Sequence, residues 1–563
     1  MMYVKKFLAI LCLILSFNLN FAQPNNLLQL LSQFKPYPPL KKIAVVSSFG
    51  ELRLNHLHSG IDLSGFHKIG TPVHAIDSGY VSKILVSSTG YGKAVYITHS
   101  NGLTSVYAHL DHFAKPIQQL VTQKQLLLHQ NQITIYPSPN SIKIKKGQII
   151  GYLGSTGWSY APHLHFEIRD AYLNFPINPL LAFNFYDKTP PVISEIGIYP
   201  ASDSSVILGK HSTHFFFTRY LHKPICIFGP VYFSVKTFDP VPQHYDKKGI
   251  YELKLFADSK LVFQYTFDMF FFQNTRYANA ILDYKQYYFH RKKFYKLYKP
   301  ANFKLHVCKI AINNGVISFK KGLHKITIIA SDINHNSTKF SFYIKICKPQ
   351  KITKLQINDS ILQPMKSYTF SDQNFKILLP PLTLYDTTKP FLKLSPNPYG
   401  PDSIITFLHP YIPINQPITI WFRIPDSVPT KHLTIAYKNH NHFSSLKSYI
   451  SDNYIKAQAL NLGSYLLIYD TLPPYIRPLF RYFTTYFNKS LKFKIYDNLG
   501  NISSINVFVN NHWTPAYYKA LTNTLYITVS HKFFSPGKNT LTITASDPNG
   551  NTQTKTFTIF VNP

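Results

Sequence analysis

From Ile43 onward the chain is written in short runs of β-branched and aromatic residues cut by glycine, and that rhythm restricts it to sheet architectures. Ala44-Val45-Val46, Tyr80 to Val86, Ala94 to Thr98 and Thr104 to His109 are such runs, with Gly70, Gly79, Gly90, Gly92 and Gly102 between them at turn positions. They predict an antiparallel β domain ending near residue 185. The chain has 563 residues, too many for one core, and about 150 residues per domain suggests three or four. Hydrophobic residues make up 45% and aromatics 15%, enough for several cores, which excludes a largely disordered chain.

The fold class expected is mainly β. Residues 1–22, with Lys5-Lys6, an apolar run from Phe7 to Phe17 and a small residue at Ala22, have the order of a secretory signal peptide. Cys12 lies inside that run and leaves with it. Residues 23–40, with Pro24, Pro36, Pro38 and Pro39, form an expected extended linker. Residues 41–185 are the first β domain, broken within about 113–146 by a helical insertion that Pro116 could open. Three further modules follow at 186–350, 351–470 and 471–563. Their boundaries carry similar phrases at Asp187-Lys-Thr-Pro-Pro191, Asp386-Thr-Thr-Lys-Pro390 and Asp470-Thr-Leu-Pro-Pro474. Gly322 to Asp332 also matches Gly537 to Asp547 at both ends, each followed by an Asn-containing turn and another alternating strand. Such units resemble the closing hairpins of immunoglobulin-like sandwiches, so two or three modules of that kind are expected, the middle one having the weakest pattern.

Cys226, Cys308 and Cys347 allow one disulfide at most, and their wide spacing excludes both a disulfide scaffold and a cysteine metal cluster. After signal cleavage no apolar run of about 20 residues remains to cross a membrane as a helix. Lys and Arg number 59 against 25 acids, a formal charge of +34 that attracts anionic polymers. Export argues against nucleic acid as that polymer. A codon bias toward Lys, Asn, Ile, Phe and Tyr explains the charge equally well, so charge selects no partner.

Three histidine-bearing clusters fall inside the first β domain: His58-Ser-Gly-Ile-Asp62, Tyr107-Ala-His109-Leu110 and His163-Leu-His165-Phe-Glu167. From His163 to Arg169 odd positions are polar and even ones apolar, as in a strand with one wet and one dry face. His163 and His165 then share the wet face about 6.6 Å apart, so one imidazole can ligate a metal while the other reaches its water. The phase of Ser105, Tyr107 and His109 puts His109 on one face of a neighbouring strand. His58 and Asp62 would be about 13 Å apart on a straight strand, too far to share an ion. A bend at Gly60 is expected to bring them together. Two histidines, one carboxylate and an open fourth position make a catalytic zinc set, in which zinc polarises a carbonyl and lowers the pKa of its water toward about 7.

These clusters, together with Gly70-Thr-Pro-Val73, Gly90-Tyr-Gly92, Lys146-Gly-Gln-Ile-Ile-Gly151 and Gly154-Ser-Thr-Gly157, resemble in their order the LytM and lysostaphin metalloendopeptidases over roughly residues 45–182. The resemblance implies an exported Zn2+ endopeptidase that cuts peptide cross-links of bacterial peptidoglycan, with His58, Asp62 and His165 as metal ligands. It further implies that His109 and His163 orient or deprotonate the water and steady the oxyanion. Its partners would be peptidoglycan stem peptides and, if the insertion silences the enzyme, a protein regulator. Its place would be the periplasm or cell envelope, with secretion beyond it as the other outcome. The chain departs from the family at Ser159-Tyr-Ala-Pro162 and in its long insertion. Glu167 reads as a strand-face residue or a support for a ligand, and His56, His67, His74, His99 and His112 as ordinary. The competing reading is a catalytically silent wall-binding or regulatory protein of the same fold, which would be expected to lack one ligand. None is missing.

Overall fold

The computed structural model describes residues 31, 33–41, 43–64, 68–183, 185, 187–241, 247–347, 361–426 and 428–563. The expected signal peptide, residues 23–30 of the linker, His67 and the 350/351 boundary lie outside the described residues. The architecture is mainly β with antiparallel sheets, as the alternating runs require.

The first region contains β1 (Ala44–Ser47), β2 (Leu52–Arg53), β3 (His56–Leu57), β4 (Ile61–Ser64), β5 (Pro72–His74), β6 (Gly79–Val86), β7 (Lys93–His99), β8 (Leu103–Ala108) and β9 (Leu110–Phe113). Then come α1 (Lys115–Leu128), β10 (Ile133–Ile135), β11 (Lys143–Ile144), β12 (Ile149–Leu153), β13 (Leu164–Asp170) and β14 (Pro176–Ile177). The main sheet runs β1-β4-β13-β8-β7-β6-β10, and β5-β12-β9 form a smaller sheet. Leu164, Phe166 and Ile168 of β13 join the main core, whereas the alternate residues His165, Glu167 and Arg169 occupy the opposite face. The helix in the insertion starts with Pro116 near its N-terminus. The rest of the insertion is sheet, since β10 and β11 both pair with β6.

Residues 34–38 lack regular secondary structure, yet the stretch up to Leu40 is packed rather than free. Tyr37 N–H donates to Ile76 O at 2.8 Å, His74 N–H donates to Pro39 O, and Leu40 is fully buried. Prolines prevent a ladder of their own, but extended backbone beside a sheet finds partners in neighbouring loops.

Beyond residue 187 the described residues build three pairs of sheets. Five- and seven-stranded sheets span Val192–Ile346, two five-stranded sheets span Tyr368–Tyr469, and four- and five-stranded sheets span Tyr475–Asn562. The second and third pairs enclose separate cores, whereas the first shares one continuous core with the main sheet. Both recurrent segments are antiparallel hairpins: Leu323–Ser331 with Ser337–Ile346, and Gly537–Ser546 with Thr552–Asn562. Cys226 and Cys347 form a disulfide and Cys308 is free. No helix among the described residues is long and apolar enough to cross a membrane.

Candidate metal centre

Asp62 on β4 and His165 on β13 are direct cross-strand partners, because these antiparallel strands pair Leu63 with Leu164 and Ile61 with Phe166. His58 reaches the same place through a bend between β3 and β4, held by hydrogen bonds from His58 N–H to Glu51 O and from Gly50 N–H to His58 O. Gly60 is required there. A Cβ at this position would sit 2.3 Å from Phe166 O and 2.8 Å from Glu167 Cγ, so the bend presses against β13 only if it carries no side chain.

The structure brings three donor atoms together. His58 Nε2 is 2.9 Å from His165 Nδ1 and 3.1 Å from Asp62 Oδ1, and the last two are 3.0 Å apart. Tetrahedral ligands about 2.05 Å from zinc stand about 3.3 Å from one another, so a small outward movement accommodates the ion. The outer atoms of the three are already engaged. His58 Nδ1 donates to Ser48 O at 2.9 Å, His165 Nε2 donates to Glu167 Oε1 at 2.8 Å, and Asp62 Oδ2 accepts from Arg53 Nη2 at 2.7 Å. These bonds fix the tautomers and turn the remaining lone pairs onto one point, as metal-ligating histidines need. The donor set fits zinc.

The supporting network extends outward. Glu167 Oε1 also accepts from Tyr91 and Ser59 hydroxyls, and Oε2 accepts from Arg169 Nε. The Arg169 guanidinium stacks on Phe272, with its carbon 4.5 Å from the ring centroid. On the other flank Lys293 donates to Glu51, whose other oxygen accepts from Ser47; Ser47 in turn accepts from Arg53. Phe272 and Lys293 belong to the region after residue 187, so that region braces the centre from two sides.

Burial governs the electrostatics. It lowers the pKa of His58, opposed by Asp62. It would raise that of Asp62, but the facing imidazoles hold the carboxyl well below its usual range. Burial also works against a charged His165, yet hydrogen bonds to Asp62 and Glu167 outweigh it and push that imidazole up to about 9.

His109 and His163 stand beside this cluster, with ring centroids 4.8 Å apart and that of His109 5.8 Å from His165. Strand phase misplaces His109 but not His163, whose Nε2 lies 3.5 Å from Asp62 Oδ1 on the same side as His165. His109 falls in the break between β8 and β9 with φ 61, so alternation does not set its direction, and His163 precedes β13 in an isolated bridge to Gly154. The face expected to be wet is dry: every residue of β13 is buried, because the acid, base and guanidinium on it pair with one another and are covered by Phe272. His109 donates Nδ1–H to Thr156 O at 2.8 Å and His163 donates Nδ1–H to Ala161 O at 2.9 Å, leaving both Nε2 atoms as acceptors. Burial lowers both pKa values, that of His109 strongly, with His163 and His165 adding to it.

Of the remaining histidines, His56, His74 and His99 bond backbone carbonyls and His112 bonds Asp111, all outside the cluster. Sequence reasoning did not single out Arg53, Tyr91 or Ser59. Tyr91 lies within the Gly90-Tyr-Gly92 motif and Arg169 continues the polar face of β13, so both had a signal; Arg53 had none. In the divergent segment Ser159 is buried and Tyr160 is 92% exposed.

A family model described as Peptidase family M23 matches residues 56–132 and 126–179. The DD-carboxypeptidase/endopeptidase Mpg of Neisseria meningitidis is 33% identical over 148 residues, 25% of this chain and 27% of that protein. Lysostaphin of Staphylococcus simulans is 34% identical over 112 residues, covering 20% of this chain and 18% of that one. The alignments thus span a small part of either relative. Among solved structures, a mutant catalytic domain of the prophage-encoded M23 protein EnpA from Enterococcus faecalis is 27% identical, covering 26% of this chain and 95% of that one with a TM-score of 0.20.

Proposed function

Residues 56–179 form an M23 peptidase domain, and on that premise we propose that the chain is an exported zinc metalloendopeptidase that hydrolyses peptide cross-links of bacterial peptidoglycan. The observation that carries this reading is the convergence of His58 Nε2, Asp62 Oδ1 and His165 Nδ1 within 3.1 Å of one another, each with its outer atom occupied. The relatives' names, which include a peptidoglycan DD-endopeptidase of Vibrio cholerae 32% identical over 135 residues, supply the substrate class.

Zinc held by His58, Asp62 and His165 would supply Lewis-acid polarisation of the scissile carbonyl and acidify the attacking water. The chain's own residues handle the proton. His109 and His163 are neutral at pH 7 because burial disfavours their charged forms, and one of them accepts the water proton at Nε2 while the other orients the water. The protonated imidazole then faces the oxyanion and returns the proton to the leaving amine as the C–N bond breaks. Arg53 and Glu167 hold Asp62 and His165 in place. The three sheet pairs after residue 187 are, in this reading, immunoglobulin-like modules that position the catalytic domain in the periplasm or cell envelope.

Elemental analysis of the purified mature chain tests the first step. One zinc per chain, lost in a folded His165→Ala variant, supports the reading; a folded wild type that takes up no zinc ends it.

A further inference from the structure

Two of the three boundary phrases, with the hairpin turns, converge on two similar clusters of aspartates. Asp187, Asp239 and Asp332 bring carboxylate oxygens within 4.8 Å of one another, and Asp470, Asp497 and Asp547 do the same. Three bonds of their frameworks correspond. In the first, Asn336 Nδ2 donates to Asp187 O and to Asp332 Oδ2. In the second, Asn551 Nδ2 donates to Asp470 O and to Asp547 Oδ2. Asp332 Oδ1 accepts from Asn336 N–H as Asp547 Oδ1 accepts from Asn551 N–H.

Their charge partners differ. In the first cluster the Lys248 ammonium sits between two carboxylates, 2.7 Å from Asp187 Oδ2 and 3.0 Å from Asp239 Oδ2. In the second, none of the three aspartates forms an ion pair with a lysine or arginine among the described residues. Asp470 is fully buried and Asp497 is 8% exposed, yet Oδ1 of each is buried without a hydrogen-bond partner; in the first cluster one such oxygen, Asp239 Oδ1, remains beside the lysine. Their Oδ2 atoms are satisfied, by Asn549 Nδ2 and by Leu499 N–H respectively. The imidazole that acts on Asp470, His432, leaves its own buried Nδ1 unpartnered. Three carboxylates out of water with two unpaired oxygens are costly unless a cation joins them.

We propose that Asp470, Asp497 and Asp547 hold a divalent cation of the calcium class, in the position that the Lys248 ammonium takes in the twin cluster. The donors are hard oxygens with no nitrogen or sulfur ligand, which suits Ca2+ rather than zinc, and water would complete the shell. Asp470 closes the second sheet pair's chain and Asp497 and Asp547 belong to the third, so the ion would pin the joint between them.

The test is calorimetric titration of calcium chloride into the full mature chain, wild type and the isosteric variants Asp497→Asn and Asp547→Asn, with folding of each checked by circular dichroism. The expected result is one site with a Kd of about 10⁻⁴ to 10⁻³ M, the range of extracellular modules, weakened about tenfold or more in both variants. The wild type should also unfold at a higher temperature with calcium than with chelator. Absence of binding and of any thermal shift in the wild type up to about 10 mM calcium would overturn the proposal. So would undiminished affinity in both variants.

Discussion

Lys519 Nζ lies 2.8 Å from the backbone oxygen of Ser159, 360 residues earlier in the chain, and 3.1 Å from Ser155 Oγ. Ser159 Oγ is in turn 3.3 Å from His163 Nδ1. Beside it, Gly157 N–H donates to Tyr517 Oη at 2.6 Å, and Tyr517 donates to Ser87 O. The last sheet pair therefore holds the loop that delivers His163. We expect Lys519→Ala to speed amide exchange across residues 154–163 and to lower kcat/KM about fivefold, the equivalent of about 1 kcal/mol of lost positioning. Unchanged exchange in that loop would show that the contact does not restrain it.

This contact marks the limit of what could be read from the sequence. The catalytic domain was legible because its motifs keep their order and spacing, and because alternation from His163 to Arg169 fixed which side chains of β13 leave the core. Alternation could not show that His109 sits at a left-handed break, since that conformation is set by the change from one sheet to another. Nor could it show Arg53 behind Asp62, or Lys293 and Phe272 bracing the centre. Those are tertiary contacts between side chains with no local period. The repeated Asp phrases were visible as boundaries, but their convergence into clusters appears only once the hairpins are folded.

Glu167 accepts hydrogen bonds from His165, Tyr91, Ser59 and Arg169. Glu167→Gln keeps its shape and removes its charge. Zinc affinity should fall about 10- to 100-fold, the usual effect of losing an outer partner of a ligand, and competition with a chromophoric chelator measures it. Affinity equal to wild type would mean that Glu167 does not tune His165.

Zinc bound by His58, Asp62 and His165 would have to displace a proton from the cluster. His165 is pushed up to about 9 in the metal-free protein, so it is protonated at pH 7 and must lose that proton to ligate. The sign follows: affinity rises with pH and levels off above about 9, losing about tenfold per unit as pH falls below that. Calorimetry at pH 7 in buffers of differing ionisation enthalpy should find about one proton released per zinc. Release of none would contradict the raised value.

Gly60→Ala should be among the most damaging small changes in the domain. The added carbon meets Phe166 O at 2.3 Å and must push β4 from β13, which separates His58 from His165. Overpacking of this kind costs about 1–3 kcal/mol. Thermal unfolding should show the loss, and zinc stoichiometry should drop in the protein that remains folded. Wild-type values of both would mean that the strands yield without moving the ligands.

The most direct test of the central claim is mass spectrometry of defined muropeptide dimers incubated with the zinc-loaded mature chain beside His165→Ala. The account predicts cleavage of a cross-linking peptide bond by the wild type and none by the variant. Intact dimers in the presence of one bound zinc per chain would contradict it.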